Sequence, residues 1–134
     1  MPTVTCPNMS YNLTMLMEKK IQSFRYAITG IGIAWREEFN FRFDVVLGIC
    51  ALLLAWVLKL SREEFLIIIF MIGFVLTAEA LNTALEELCD KFQPTHDPHI
   101  AKIKDLAAGA VLVAALTVFV VGCVLFIPHI ISLL

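Results

Sequence analysis

Charged residues are scarce in this sequence, and several familiar motifs are missing from it. Only 16% of the 134 residues are charged while 60% are hydrophobic, which excludes an ordinary soluble domain and makes the bilayer the expected solvent. No glycine-rich phosphate loop of the Walker or kinase type is present. The four cysteines share no short spacing, so no disulfide framework is predicted. The net charge of −2, without a basic stripe interleaved with aromatics, excludes nucleic acid as a predicted partner.

The apolar residues fall into three long runs. One runs from Val45 to Leu58, one from Phe65 to Ala78, and one from Leu106 to Ile127, where Pro128 is expected to close the helix. The second run continues as a helix past Ala78, and Ser61-Arg62-Glu63-Glu64 before it matches a capping box. These patterns predict three transmembrane helices, over about residues 43–60, 63–90 and 103–127.

A fourth helix is predicted before the first span. Apolar residues recur there at three- and four-residue steps between basic ones, as Ile21, Phe24, Ile28, Ile31 and Trp35. This spacing predicts an amphipathic helix over about residues 14–40 that lies on the membrane surface, with Trp35 near the headgroups. Residues 1–13 are predicted to form a flexible tail, and residues 14–134 a single all-α integral membrane domain.

The distribution of basic residues predicts the orientation. Five of them precede the first span and three lie between the second and third spans, whereas only Lys59 and Arg62 lie in the connection between the first and second. Cytoplasmic segments of membrane proteins carry the excess of Lys and Arg. The N-terminus, the surface helix and the second loop are therefore expected to face the cytoplasm.

Polar residues form one stripe at the end of the second span. At 100° per residue, Asn82, Glu86 and Asp90 lie within about 60° of Glu79 on the helix circumference. A helix that merely emerges into the cytoplasm would account for the later acids as solvated charges. Glu79 fits that explanation poorly, because it directly follows an apolar stretch, where a carboxylate costs about 2.5 to 3.5 kcal/mol on insertion scales.

This stripe suits a site for magnesium and phosphate. Carboxylates hold the hard cation while a neighbouring carboxylate accepts a proton, and Glu38 and Lys104-Asp105 supply further groups on the same membrane face. Two other hypotheses about the function remain open at this point. A small transporter or channel subunit would use Glu79 as an intramembrane ion or proton site, and a non-catalytic assembly protein would only pack helices through small residues.

Two segments resemble the signature of the prokaryotic diacylglycerol kinase family, which includes the undecaprenol kinases. They are Glu79-Ala80-Leu81-Asn82-Thr83-Ala84-Leu85-Glu86 followed by Asp90, and residues 101–111, AKIKDLAAGAV. The likeness extends over about residues 23–128. It implies a homotrimer with composite active sites in the bacterial inner membrane, and ATP-dependent phosphorylation of a membrane lipid alcohol, with undecaprenol favoured over diacylglycerol.

The resemblance also implies roles for individual residues. Glu79 matches the catalytic base, and Glu38 and Glu86 match the Mg²⁺ ligands. The predicted nucleotide contacts are Tyr26, Asn82, Asp97, Lys104 and Asp105, and the predicted lipid contacts are Lys19, Trp35 and Glu79. One position departs from the family, because its usual loop histidine aligns with Asp97 while His96 stands one residue earlier.

Overall fold

The protein is a bundle of four helices joined by very short connections. A computed structural model describes residues 9–93, 95 and 97–133. The helices are α1 (Met9–Glu37), α2 (Phe39–Val57), α3 (Arg62–Phe92) and α4 (Pro98–Ile131). By length and composition, α2, α3 and α4 are each able to cross a membrane. The prediction of an all-helical protein with three apolar spans is confirmed.

The first helix starts earlier and ends sooner than the sequence pattern indicated. It begins at Met9, inside the segment predicted as a flexible tail, because residues 9–13 contain neither glycine nor proline to interrupt it. The rest of that predicted tail, residues 1–8, lies outside the described residues. The helix ends at Glu37, where a single residue in extended conformation, Glu38, separates it from α2.

The last helix continues beyond the proline that was expected to close it. Pro128 lies inside α4, which runs on to Ile131. Proline removes one backbone donor, but the carbonyl of Pro128 still accepts a hydrogen bond from the Ser132 amide at 3.1 Å. The prediction that α4 stops at Pro128 was therefore wrong by about one turn.

Small residues let the spans approach closely. α3 lies between α2 and α4 and packs against both, whereas α1 makes few contacts with the other helices. Ala55 of α2 and Ala114 of α4 are each only 1% exposed. Gly48 of α2 is also buried, with Ile72 of α3 directly opposite it. In a bilayer, small side chains at helix contacts allow the van der Waals packing that holds spans together.

The connection between α2 and α3 is fixed by local hydrogen bonds. Lys59 adopts the left-handed conformation at φ 53°, and Ser61 is the N-cap of α3. The Ser61 side chain accepts from the Glu64 amide at 3.3 Å, while the Ser61 amide donates to the Glu64 carboxylate at 2.8 Å. The capping box predicted from the sequence is confirmed.

Candidate active site

Glu79 is a buried carboxylic acid on the central helix. It is 7% exposed and is the one charged residue that is buried among those described. Val75 lies one turn earlier on the same helix and is also buried, so this face of α3 turns towards the interior of the bundle. A carboxyl group in this setting is expected to serve a function, because its burial is costly without a partner.

Three further carboxylates lie within electrostatic range of Glu79. Those of Asp44, Glu38 and Glu86 are near enough to act on its charge electrostatically. Glu86 belongs to the same helix, whereas Glu38 and Asp44 come from the α1–α2 connection and from the start of α2. The fold thus brings together the three acids that the sequence had assigned to catalysis and metal binding. Acids within electrostatic range of one another favour a cation near them.

Asn82 is hydrogen-bonded to Glu86, one of these acids, on α3. Its Nδ2 donates a hydrogen bond to Glu86 Oε1 at 2.9 Å, across one turn of the helix. Its Oδ1 is buried and accepts no hydrogen bond from any described residue. A buried amide oxygen without a donor is costly, so this atom is available to a ligand that the chain alone does not supply.

The donors at this site fit a magnesium ion. Carboxylate and amide oxygens are the hard ligands that Mg²⁺ prefers. Within the described part of the chain, no three His, Cys, Asp or Glu side chains converge closely enough to hold a metal by themselves. Mg²⁺ commonly binds proteins through one or two carboxylates and takes its other ligands from water and nucleotide phosphates. The acids around Glu79 match that mode of binding.

Lys104 ties the start of α4 to the end of α3. Its Nζ contacts both carboxylate oxygens of Asp90, at 2.9 and 3.0 Å. The side chains of Lys104 and Asp90 are 33% and 66% exposed, so the pair is open to solvent. Lys104 is also close enough to Glu86 to interact with its charge. An exposed ion pair contributes little to stability, so Asp90 can give up Lys104 to a phosphate group.

The other residues predicted to contact nucleotide or lipid are exposed or cap a helix. Tyr26 is exposed, and its hydroxyl accepts a hydrogen bond from Gln22 at 3.0 Å. Lys19 and Asp105 are exposed as well. Asp97 caps α4 by accepting from the His99 and Ile100 amides. The structure therefore gives Asp97 a role in helix capping, while His96 lies outside the described residues.

Sequence reasoning missed Asp44 as a member of the site. In the sequence it directly precedes the first apolar run, which begins at Val45. Asp44 is half-buried and lies within electrostatic range of Glu79. The available signal was its position: a carboxylate at the same end of α2 as Glu38.

Two apolar cavities flank α3. The larger, about 820 Å³, lies among α1, α2 and α3 and includes Trp35 and Ala80 in its wall. The other, about 640 Å³, lies among α2, α3 and α4, and its wall includes Asp44, Val75 and Ala115. Among the described residues of that wall, Asp44 alone is charged. Val75, the last α3 residue of this wall, precedes Glu79 by one turn on the same face, so the cavity comes within one turn of the buried acid without including it.

Comparison with known proteins places the chain in a family. A family model described as prokaryotic diacylglycerol kinase matches residues 25–126. The chain belongs to this family. The family is one of membrane lipid kinases, which confirms the predicted class of enzyme and implies ATP-dependent phosphoryl transfer. It does not favour the transporter or channel.

Individual relatives carry two different names. An undecaprenol kinase of Bacillus subtilis (strain 168) is 35% identical over 112 residues, which cover 84% of this chain and 91% of the relative. A diacylglycerol kinase of Synechocystis sp. is 37% identical over 113 residues, covering 84% of this chain but only 65% of the relative. The diacylglycerol kinase of Escherichia coli (strain K12) is 26% identical over 118 residues, covering 88% of this chain and 97% of the relative.

Proposed function

We propose that this chain transfers the γ-phosphoryl group of ATP to the primary hydroxyl of a membrane lipid alcohol, with Glu79 as the catalytic base. The observation that carries the proposal is the burial of Glu79 in a membrane-spanning helix with Glu38 and Glu86 close to it. A soluble kinase has no need of a base in such a place. A lipid kinase does, because its acceptor hydroxyl stays at the membrane boundary while its tail remains in hydrocarbon.

Undecaprenol is the acceptor that we favour. The relative named undecaprenol kinase is 35% identical with 91% of its length covered, whereas the E. coli diacylglycerol kinase is 26% identical. Diacylglycerol is the alternative acceptor, since the Synechocystis relative of that name is 37% identical.

In the proposed reaction, Glu79 accepts the proton of the lipid hydroxyl as its oxygen attacks the γ-phosphorus. The bond from that phosphorus to the bridging oxygen of ADP breaks, so the products are a lipid phosphate and ADP. Lys104 leaves Asp90 and offsets charge on the transferred group. Asn82 and Glu86 keep their hydrogen bond, which holds the Glu86 carboxylate in a fixed direction.

Glu38 and Glu86 are the residues that would hold Mg²⁺ together with the nucleotide phosphates. When bound, the ion supplies charge stabilisation for the phosphates and helps to align them. The remaining nucleotide contacts belong to Asp105, Tyr26 and Asp97, and Asp97 would contact the nucleotide only through atoms left free by its capping role.

The cavity among α2, α3 and α4 is the proposed site of the lipid tail. Its wall is apolar apart from Asp44, and it ends one turn from Glu79. Along α4 the wall extends from Leu112 to Ile127, which at 1.5 Å per residue is about 22 Å. A groove of that length holds the part of a hydrocarbon tail nearest the headgroup. Lys19 and Trp35 would then contact the headgroup region from α1.

Assembly and orientation complete the proposal. α1 carries exposed apolar residues such as Ile21, Phe24 and Ile28, which suits a helix lying on the surface of the bilayer. Large apolar side chains are also exposed along all three spans. Lipid and neighbouring subunits would cover them in a homotrimer with shared active sites, within residues 14–134 as one domain. The basic residues near α1 support an active site on the cytoplasmic side of the bacterial inner membrane.

The test is a labelled-ATP assay on purified protein in lipid, with undecaprenol and diacylglycerol offered in parallel. The wild type is expected to phosphorylate at least one of them when Mg²⁺ is present. Glu79→Gln is expected to lose about 10²- to 10⁴-fold in turnover, the usual contribution of a general base, while nucleotide binding stays within a few-fold. Glu87→Gln is the matched control, because Glu87 is an exposed acid on the same helix.

Two results would contradict this proposal. One is the absence of phosphate transfer to either lipid by a folded wild-type protein. The other is a Glu79→Gln variant that turns over as fast as Glu87→Gln, which would remove Glu79 from the role of base.

A further inference from the structure

The junction between α1 and α2 leaves backbone carbonyls to be satisfied. α1 ends at Glu37 and α2 begins at Phe39, so Glu38 is the only residue outside a helix. The last four carbonyls of a helix have no partner within it. The Glu38 amide donates to the Ala34 carbonyl at 3.0 Å, which satisfies one of the four.

Arg42 satisfies two more of these carbonyls. Its Nη1 donates to the carbonyl oxygen of Trp35 at 3.1 Å and to that of Arg36 at 2.9 Å. A cation in the opening turns of α2 is disfavoured by the dipole of its own helix, but the same cation at the C-terminal end of α1 is favoured. The guanidinium is therefore held at the junction by α1.

Glu38 lies at the same junction as the Arg42 contact. The Glu38 side chain makes no capping hydrogen bond to α2, although Glu38 is the N-cap residue. Its backbone is extended, at φ −99° and ψ 120°, and its carboxylate acts on Glu79. Nothing in its own helix turn holds this carboxylate, so its position depends on how α1 and α2 meet at Glu38, where Arg42 bonds to the end of α1.

We propose that Arg42 is a positioning residue that holds the Glu38 carboxylate in place for the divalent cation shared with Glu86. The proposal rests on the proposed function, in which Glu38 and Glu86 hold Mg²⁺. In this proposal Arg42 is not a ligand of the metal, and its side chain bonds to α1. It acts on the cation through the carbonyls of Trp35 and Arg36 and the backbone of Glu38.

The charge of Arg42 and its positioning role predict opposite changes in cation affinity when Arg42 is replaced. Removing a positive charge beside a cluster of acids should strengthen cation binding, since a nearby cation repels the metal. Loss of the carbonyl contacts should weaken binding, because outer residues that orient a ligand commonly change metal affinity by about 10- to 100-fold. The direction of the change therefore separates the two effects.

The experiment measures divalent cation binding in detergent, with Mn²⁺ as a spectroscopic probe and a non-hydrolysable ATP analogue present. Arg42→Gln is expected to weaken Mn²⁺ binding about tenfold or more and to raise the half-saturating Mg²⁺ concentration in the kinase assay by a similar factor. Arg42→Lys should lie between the wild type and Arg42→Gln, since one ammonium group still donates to these carbonyls. Arg36→Gln is the matched control, because Arg36 is exposed and its side chain bonds to no described residue.

A double-mutant cycle with Glu38 tests the route of the effect. If Arg42 acts through Glu38, Arg42→Gln should weaken Mn²⁺ binding much less in a Glu38→Gln background than alone. Equal losses in both backgrounds, or Mn²⁺ binding unchanged or tighter in Arg42→Gln, would overturn the proposal. Arg42→Lys carries the same test if Arg42→Gln does not fold. Because the Mn²⁺ measurement needs no turnover, it decides the role of Arg42 even if neither lipid is phosphorylated.

Discussion

The close contact between Gly48 and Ile72 offers a sharp test of the packing between α2 and α3. A Cβ atom built on Gly48 would lie 3.0 Å from Ile72 Cγ2, 3.3 Å from Cγ1 and 3.4 Å from Cδ1. Three atoms of one side chain thus crowd the added methyl group. Isoleucine has one strongly preferred χ1 in a helix, so Ile72 is poorly able to rotate away.

The size of the effect follows from two opposing contributions. Replacing glycine by alanine inside a helix stabilises it by up to about 1 kcal/mol. Overpacking a close contact costs about 1 to 3 kcal/mol. Gly48→Ala is therefore expected to lower the free energy of unfolding by about 0 to 2 kcal/mol. Gly122→Ala is the matched control, because nothing lies within 4 Å of a Cβ at Gly122, and it should be about 1 kcal/mol more stable than the wild type.

The assay is reversible unfolding in mixed detergent micelles, followed by far-UV circular dichroism. The difference between the two variants isolates the clash, because both gain the same helix propensity. That difference is expected to be about 1 to 3 kcal/mol, with Gly48→Ala the less stable. Equal stability of the two variants would show that α2 and α3 do not pack closely at Gly48.

Three further predictions concern the α2–α3 connection and the lipid cavity. Lys59→Gly should stabilise the protein by about 1 kcal/mol in the same unfolding assay, because glycine adopts positive φ without penalty, and Lys59→Ala should show no such gain. Ser61→Ala should cost about 0.5 to 2 kcal/mol by removing the cap of α3, whereas Ser61→Thr should retain most of it; equal stability of the two would contradict the role of the cap. Ala115→Phe should raise the KM for lipid in the kinase assay by filling the cavity beside Glu79, and Ala80→Phe, in the other cavity, should leave it near the wild-type value; the reverse order would place the lipid among α1, α2 and α3.

Features that depend on local order along the chain were predictable from the sequence. The three spans follow from the length of the apolar runs, and the capping box at Ser61 follows from a four-residue pattern. The stripe from Glu79 to Asp90 follows from the helical repeat alone. The end of α4 was misjudged because proline weakens a helix without always stopping it, and Pro128 loses only one hydrogen bond.

Contacts between residues of different helices could be identified only from the tertiary structure. The sequence by itself determined that Glu79 lies on a polar stripe at the end of an apolar helix, because hydrophobicity and helical periodicity are properties of one segment. Only the fold decided that Asp44 lies within electrostatic range of Glu79 and that Lys104 forms an ion pair with Asp90. The hydrogen bond from Arg42 to the end of α1 is likewise a product of the fold. Those contacts depend on the distance and angle between packed helices, which small buried residues such as Gly48 set and which no periodicity along a single helix encodes.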